Sequence, residues 1–202
     1  MKLLKKLAIV MAAVVAAAPV QLFAEELPDL KKTGSITVQM KDGDLPVAGG
    51  ELSLVQVAAA VSKNDDDPAA KDRGYALKCT DQFSAEQALV DSLTADTIDE
   101  SAKQIQAYAM ENKIAGASAA ADESGMVTFS NLATGLYLIW NSKTPAGYQT
   151  MDPFLVTIPV KNETGYSYDV DATPKMEALS GFEPLVVSDP PVQKLIDGDK
   201  PG

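Results

Sequence analysis

The sequence predicts a mainly β protein, a sandwich of short strands with a helical insertion between them. Three observations carry this. Apolar and polar residues alternate in short runs, such as Ile36, Val38, Met40 and Phe154, Val156, Ile158, Val160. A period of two buries one face of a strand. Turn-forming glycines and prolines separate those runs, as at 41–50, 124–125, 131–135 and 144–147. One stretch, 84–112, has a helical period instead.

The elements follow in order. Residues 34–40 form the first strand, with Ser35, Thr37 and Gln39 on its polar face. The turn at 41–50 leads into a second strand over 51–57. Residues 58–83 show no clear period. Within them, Asn64 to Asp67 form an acidic loop that lacks the glycine and distal glutamate of a calcium-binding EF-hand. Ser84 followed by Gln87 fits a capping box that opens a short helix. Ile98, Ala102, Ile105 and Ala109 form one apolar stripe on a second helix, from about Asp99 to Asn112. Strands then return: Val127 and Phe129 face one way, and 136–140 is apolar enough to be central. Phe154 to Val160 alternates, and so do Tyr166, Tyr168, Val170 and Ala172. Strands at this density suggest a sandwich.

Composition excludes several chemistries. The 202 residues include no histidine and one cysteine, Cys79. Ser-His-Asp and Cys-His nucleophiles need an imidazole base. Most zinc sites need histidine or several cysteines, and an intramolecular disulfide needs a second cysteine. A net charge of −11 argues against nucleic acid and anionic membrane surfaces.

Lys2, Lys5 and Lys6, then the apolar run Leu7 to Ala18, then Ala24 before Glu25, have the layout of a secretory signal peptide. The run is shorter than the roughly 20 residues that span a bilayer. Cleavage after Ala24 removes three lysines and leaves 14 basic against 28 acidic residues, a net charge of −14 over 178 residues. The expected organisation is a signal peptide at 1–24, a lead-in at 25–33, and one domain at 34–178 with its insertion at about 58–116. Residues 179–202 read as a proline-rich linker into a following domain.

Several segments together resemble a known family. Gly34-Ser-Ile-Thr-Val-Gln-Met and Pro46-Val-Ala-Gly-Gly-Glu-Leu-Ser-Leu resemble the opening of a CnaB-type, prealbumin-like domain. Gly125-Met-Val-Thr-Phe-Ser-Asn-Leu-Ala-Thr-Gly-Leu-Tyr-Leu and Pro145-Ala-Gly-Tyr148 match its middle. Pro153-Phe-Leu-Val-Thr-Ile-Pro159 and Tyr168-Asp-Val-Asp-Ala-Thr-Pro-Lys175 look like the end of the N-terminal domain of a Gram-positive, sortase-assembled backbone pilin of SpaA type. The resemblance covers about 34–178 and implies an Ig-like or prealbumin-like sandwich.

It also implies roles. The family's pilin motif is Trp-x-x-x-Val-x-Val-Tyr-Pro-Lys. Here Tyr166 stands for the tryptophan, and Val170, Pro174 and Lys175 match. Ala172 and Thr173 replace valine and tyrosine. The resemblance makes Lys175 the amine that joins a sortase-bound threonine of the next subunit. Pro174 cannot donate to a ladder, so it helps end the strand before Lys175. The family's internal isopeptide bonds need a first-strand lysine and an assisting glutamate. Those positions hold Met40 and Asn141, and Lys41 is one residue out of phase, on the opposite face. No internal bond is therefore expected. Leu45-Pro-Val-Ala-Gly49 resembles a sorting signal, but it lies near the start of the mature chain, in a turn the fold explains.

The expected function is a secreted cell-surface pilus subunit, not an enzyme, with no cofactor and no metal. Its expected partners are a sortase and other copies of the pilin, with no nucleic acid, and no membrane once the signal is removed. The alternative is a wall-anchored adhesin for a host or matrix ligand, using aromatics of the insertion such as Tyr75, Phe83 and Tyr108.

Overall fold

The computed structural model describes residues 27–63, 74–174 and 176–180. The expectations for 1–24, Asn64 to Asp67, Lys175 and 181–202 lie outside these residues.

Two sheets face each other. The first holds β12 (Asp169–Ala172), β1 (Gly34–Gln39) and β7 (Met126–Leu132) in that order. β1 pairs antiparallel with β7 and parallel with β12. Ile36 and Val38 of β1 point into the core while Ser35, Thr37 and Gln39 stay half-exposed, as the period-two pattern requires. Gly34 admits no side chain, since a Cβ there would collide with the Tyr168 carbonyl. β1 leads into the small hairpin of β2 (Lys41–Asp42) and β3 (Leu45–Pro46).

The second sheet is built on β4 (Glu51–Lys63) and β8 (Gly135–Lys143), with β9 (Phe154–Ile158) at one edge. The other edge of β4 is shared. β6 (Ala117–Ala120) pairs with its first residues and β5 (Gly74–Cys79) with its last. Between β5 and β6 the chain forms a 3-10 turn (Asp81–Glu86), α1 (Gln87–Asp91) and α2 (Ile98–Glu111). The helical part is thus confined to 81–111, while 58–63 and 74–79 extend the sheet.

β8 is central, as its composition predicts. Tyr137 and Ile139 point between the sheets, and Leu136, Leu138 and Trp140 lie under the helices. A strand covered on both faces reads as a continuous apolar run. The stripe on α2 does what its spacing predicts: Ala102, Ile105 and Ala109 are fully buried against Val57, Leu138 and Trp140. Asp99 and Glu100 in its first turn complement the helix dipole.

Three local expectations are corrected. Ser84 caps nothing: it lies inside the 3-10 turn and its hydroxyl donates to the Asp81 carbonyl at 3.0 Å. Gln87 serves β5 instead, accepting the Cys79 N–H at 2.8 Å. The turn expected at 131–135 is shorter, because β7 runs on to Leu132 with Asn131 at a φ of 57°. Finally, Tyr166 to Ala172 is not one strand. Tyr166 belongs to β11 (Gly165–Ser167), which forms a hairpin with β10 (Val160–Asn162). A bend held by the Ser167 hydroxyl, donating to the Asp169 carbonyl at 2.7 Å, separates it from β12.

Candidate functional site

β9 is the last strand of the second sheet, and β12 is the last strand of the first. Neither has a partner on its outer edge among the described residues. Both strands line one open groove of about 1170 Å³. The opposite side of the sandwich is closed by the tight connection from β6 to β7, where the Asp122 carboxylate accepts N–H bonds from Ser124 and Met126, each at 2.9 Å. The Ser124 hydroxyl, which also donates to it, and these two N–H bonds hold the Asp122 carboxyl below the usual carboxylate range.

The groove has an apolar floor and an acidic rim. Phe154 and Val156 come from β9, and Val170 and Ala172 from β12; all four are half-buried and pack on the core. Pro174 continues the β12 wall. Asp99, at the start of α2, lies on the rim with Asp152, Asp171 and Glu177. Lys103 spans α2 and the β8–β9 connection, 3.5 Å from Asp152 and 3.9 Å from Glu100. Both partners are exposed, so these ion pairs are worth little. An extended segment can add to an unpaired strand edge through its main chain, and here two such edges border one apolar floor.

The residues beyond β12 stay attached to the fold. The Met176 N–H donates to the Lys41 carbonyl at 3.0 Å, and the Met176 side chain is buried in the core. Gln149 N–H donates to the Glu177 carbonyl at 2.8 Å, and Leu179 N–H to the Gly147 carbonyl at 2.8 Å. Met176, Glu177 and Leu179 are therefore held to the fold by main-chain bonds.

Of the motif-frame residues, Val170, Ala172 and Pro174 line the groove. Tyr166 does not: it lies on β11, half-buried, with the Lys161 ammonium 6.0 Å from its ring centre. Sequence reasoning missed Asp99, Asp152, Phe154 and Glu177 as groove residues, since three separate segments bring them together. Met40 is fully buried between the sheets. Lys41 lines a separate recess on the outer face of the first sheet, with Thr37, Gln39 and Thr173. The Asn141 side-chain oxygen accepts the Met151 N–H at 2.9 Å, and its buried Nδ2 has no hydrogen-bond partner.

The Leu45 to Gly49 segment is a turn whose Val47 is buried, with its N–H on the Met40 carbonyl at 3.0 Å. Cys79 is half-buried, and burial raises its thiol pKa, with Asp91 and Glu86 acting in the same direction. That disfavours the thiolate, the reactive form. Among the described residues no group of His, Cys, Asp and Glu side chains is placed to hold a metal. No helix among them is long and apolar enough to cross a membrane.

Residues 88–174 match the family model described as the SpaA prealbumin-like fold domain. This segment is thus similar to the SpaA prealbumin-like domain. The match ends at Pro174, on the groove wall. Similar solved structures include three from Corynebacterium diphtheriae. The full-length major pilin SpaD is 21% identical with a TM-score of 0.45, over 75% of this chain and 31% of that one. The major pilin SpaA is 22% identical with a TM-score of 0.41, over 72% and 30%. A SpaA pilin–signal peptide complex is 21% identical with a TM-score of 0.43, over 73% and 99%. The chain spans about a third of the length of the first two. No curated protein matches it.

Proposed function

We propose that this protein is a structural subunit of a covalent surface pilus, and that Lys175 is its acceptor amine. The observation that carries the reading is local. The SpaA-type domain ends at Pro174, on the wall of a groove bounded by two unpaired strand edges, and the next residue in the chain is Lys175.

In this reading the groove receives an extended segment of another subunit, whose threonine is held as a thioester on a sortase cysteine. The Lys175 amine attacks the thioester carbonyl. A C–N bond forms, the C–S bond breaks, and the cysteine leaves as a thiol with the proton the amine gives up. The pilin supplies an amine and a docking surface, and the sortase supplies the catalysis. The missing histidine and the shielded Cys79 are consistent with that division of labour. The protein then acts outside the cell, after removal of 1–24, as part of a polymer of its own kind.

The interior favours a domain without an internal cross-link. Met40 offers no amine, and Lys41 opens onto the outer face. The adhesin alternative gains no such support. Phe83 is fully buried and packs against Tyr108 with tilted rings, centres 5.8 Å apart, while the Tyr75 hydroxyl donates to the Pro159 carbonyl at 3.2 Å.

The test is co-expression with a pilus sortase. The wild-type chain, fused to a C-terminal sorting signal, is expected to form SDS-resistant ladders, and Lys175→Ala in the same fusion is expected to form none. Ladders of unchanged intensity in the variant would remove Lys175 from the role.

A further inference from the structure

β12 is the more weakly held wall of the groove. Four residues pair it with β1, in parallel, from Ser35↔Asp169 to Val38↔Ala172, and its other edge is unpaired among the described residues. An edge strand held this way opens before the central strands do. Its root is Tyr168, which is 8% exposed and whose carbonyl accepts the Ser35 N–H at 3.1 Å.

The lead-in at 27–33 converges on that root. The Asp29 N–H donates to the Tyr168 hydroxyl at 2.6 Å. The Lys32 ammonium lies 4.3 Å from the centre of the Tyr168 ring, in cation–π range. The Lys32 N–H closes a turn on the Asp29 carbonyl at 3.2 Å, which places both groups on the same ring. The far side of this segment is tied as well. The Thr134 hydroxyl, just before β8, donates to the Leu30 carbonyl at 3.0 Å, and Pro28 is buried. One short segment thus bridges the start of β8 and the start of β12, which belong to different sheets.

We infer that residues 27–33 are a strap that positions the β12 wall of the groove, with Lys32 and Asp29 acting through Tyr168. The inference rests on the groove reading above, and concerns what keeps the groove ready to receive a strand. Without the strap, Tyr168 loses its polar partner and its cation, and β12 keeps its parallel pairing to β1, the Ser35 and Ser167 hydroxyl bonds to Asp169, and the packing of Val170 and Ala172. Among the described residues, the strap's hydrogen bonds to the rest of the chain and its cation–π contact go to Tyr168 and Thr134, neither of which lines the groove. The strap acts on docking only through β12.

Hydrogen exchange and ladder formation, measured on the same variants, test this. Lys32→Ala is expected to speed amide exchange over 168–174 about two- to fivefold, the size of one exposed cation–π contact. Exchange in β4 and β8 should not change. Lys32→Arg keeps a cation over the ring and should restore the wild-type pattern, and Tyr168→Phe should show the loss of the Asp29 bond at the same peptides. With sortase present, Lys32→Ala should need a higher pilin concentration for half-maximal ladder formation, at an unchanged maximal rate. Unchanged exchange at 168–174 would overturn the inference. So would faster exchange in every strand, which marks a general stabiliser. Looser β12 with normal ladder formation would show that the strap does not act on the site. A wild-type chain that forms no ladder overturns the pilus reading itself, and with it the role of the strap in docking.

Discussion

The side chain of Gln87 completes the edge of β5 by bonding to Cys79. Its oxygen accepts the Cys79 N–H at 2.8 Å, while its nitrogen donates to the Leu77 carbonyl at 3.0 Å and to the Asp91 carboxylate at 2.8 Å. One amide thus does for this edge what a neighbouring strand would do, and it ties α1 to the sheet. Gln87→Ala leaves two main-chain groups without their partner and should cost about 1–2 kcal/mol in chemical denaturation. Gln87→Glu should cost more at neutral pH, since a carboxylate would face both the Leu77 carbonyl and Asp91. A Gln87→Glu variant as stable as wild type would contradict this account of the edge.

The helical layer stands or falls on its apolar stripe. Ile105 is fully buried under the sheet, while Met110 on the same helix is 52% exposed. Ile105→Ala should destabilise the domain by about 2–4 kcal/mol, because the cavity cannot collapse between β8 and α2. Met110→Ala should change the melting temperature little. Equal effects from the two variants would mean that α2 does not dock as described.

Stability should fall at both ends of the pH range, for separate reasons. Asp122 has its folded pKa lowered by the Ser124 and Met126 bonds. Its contribution is present above the ordinary carboxylate pKa of about 3.9 and is lost as pH falls through the lowered value. Asp122→Asn should flatten the acid limb of stability. Tyr137 is raised by burial to about 12. Its contribution is complete below the ordinary tyrosine pKa of about 10 and is lost as pH rises through the raised value. Tyr137→Phe should flatten the alkaline limb, and it also gives up the 2.6 Å bond to the Ala133 carbonyl. Urea midpoints across pH, for each variant against wild type, measure both.

An internal lysine–asparagine cross-link would release one ammonia. With Met40 in the core and Lys41 on the outer face, the intact mass of the mature chain should equal that of the linear sequence, residues plus one water. A mass short by one ammonia would overturn the assignment.

Much of this was legible in the sequence because it was local. The alternation in β1, the unbroken apolar run of β8 and the four-residue stripe of α2 each report the face that is covered. The run from Tyr166 to Ala172 misled for a physical reason: side chains keep their period of two through the Ser167 bend, while the backbone leaves one hairpin and enters another sheet. Gln87 misled because an amide can bond a helix start or a strand edge, and spacing alone does not choose between them. The groove was not legible. It forms where Asp99, the 149–157 segment, the 170–174 segment and Glu177 meet, and no single stretch carries its signature.

Covalent assembly is proposed at the residue that follows the Pro174 wall of this groove. Mass spectrometry of the ladder bands tests it most directly, by locating the branched peptide that joins two subunits. The expected join is an amide between a threonine carboxyl of one subunit and the Lys175 side chain of the next. A branch at any other lysine, with Lys175 unmodified, would contradict it.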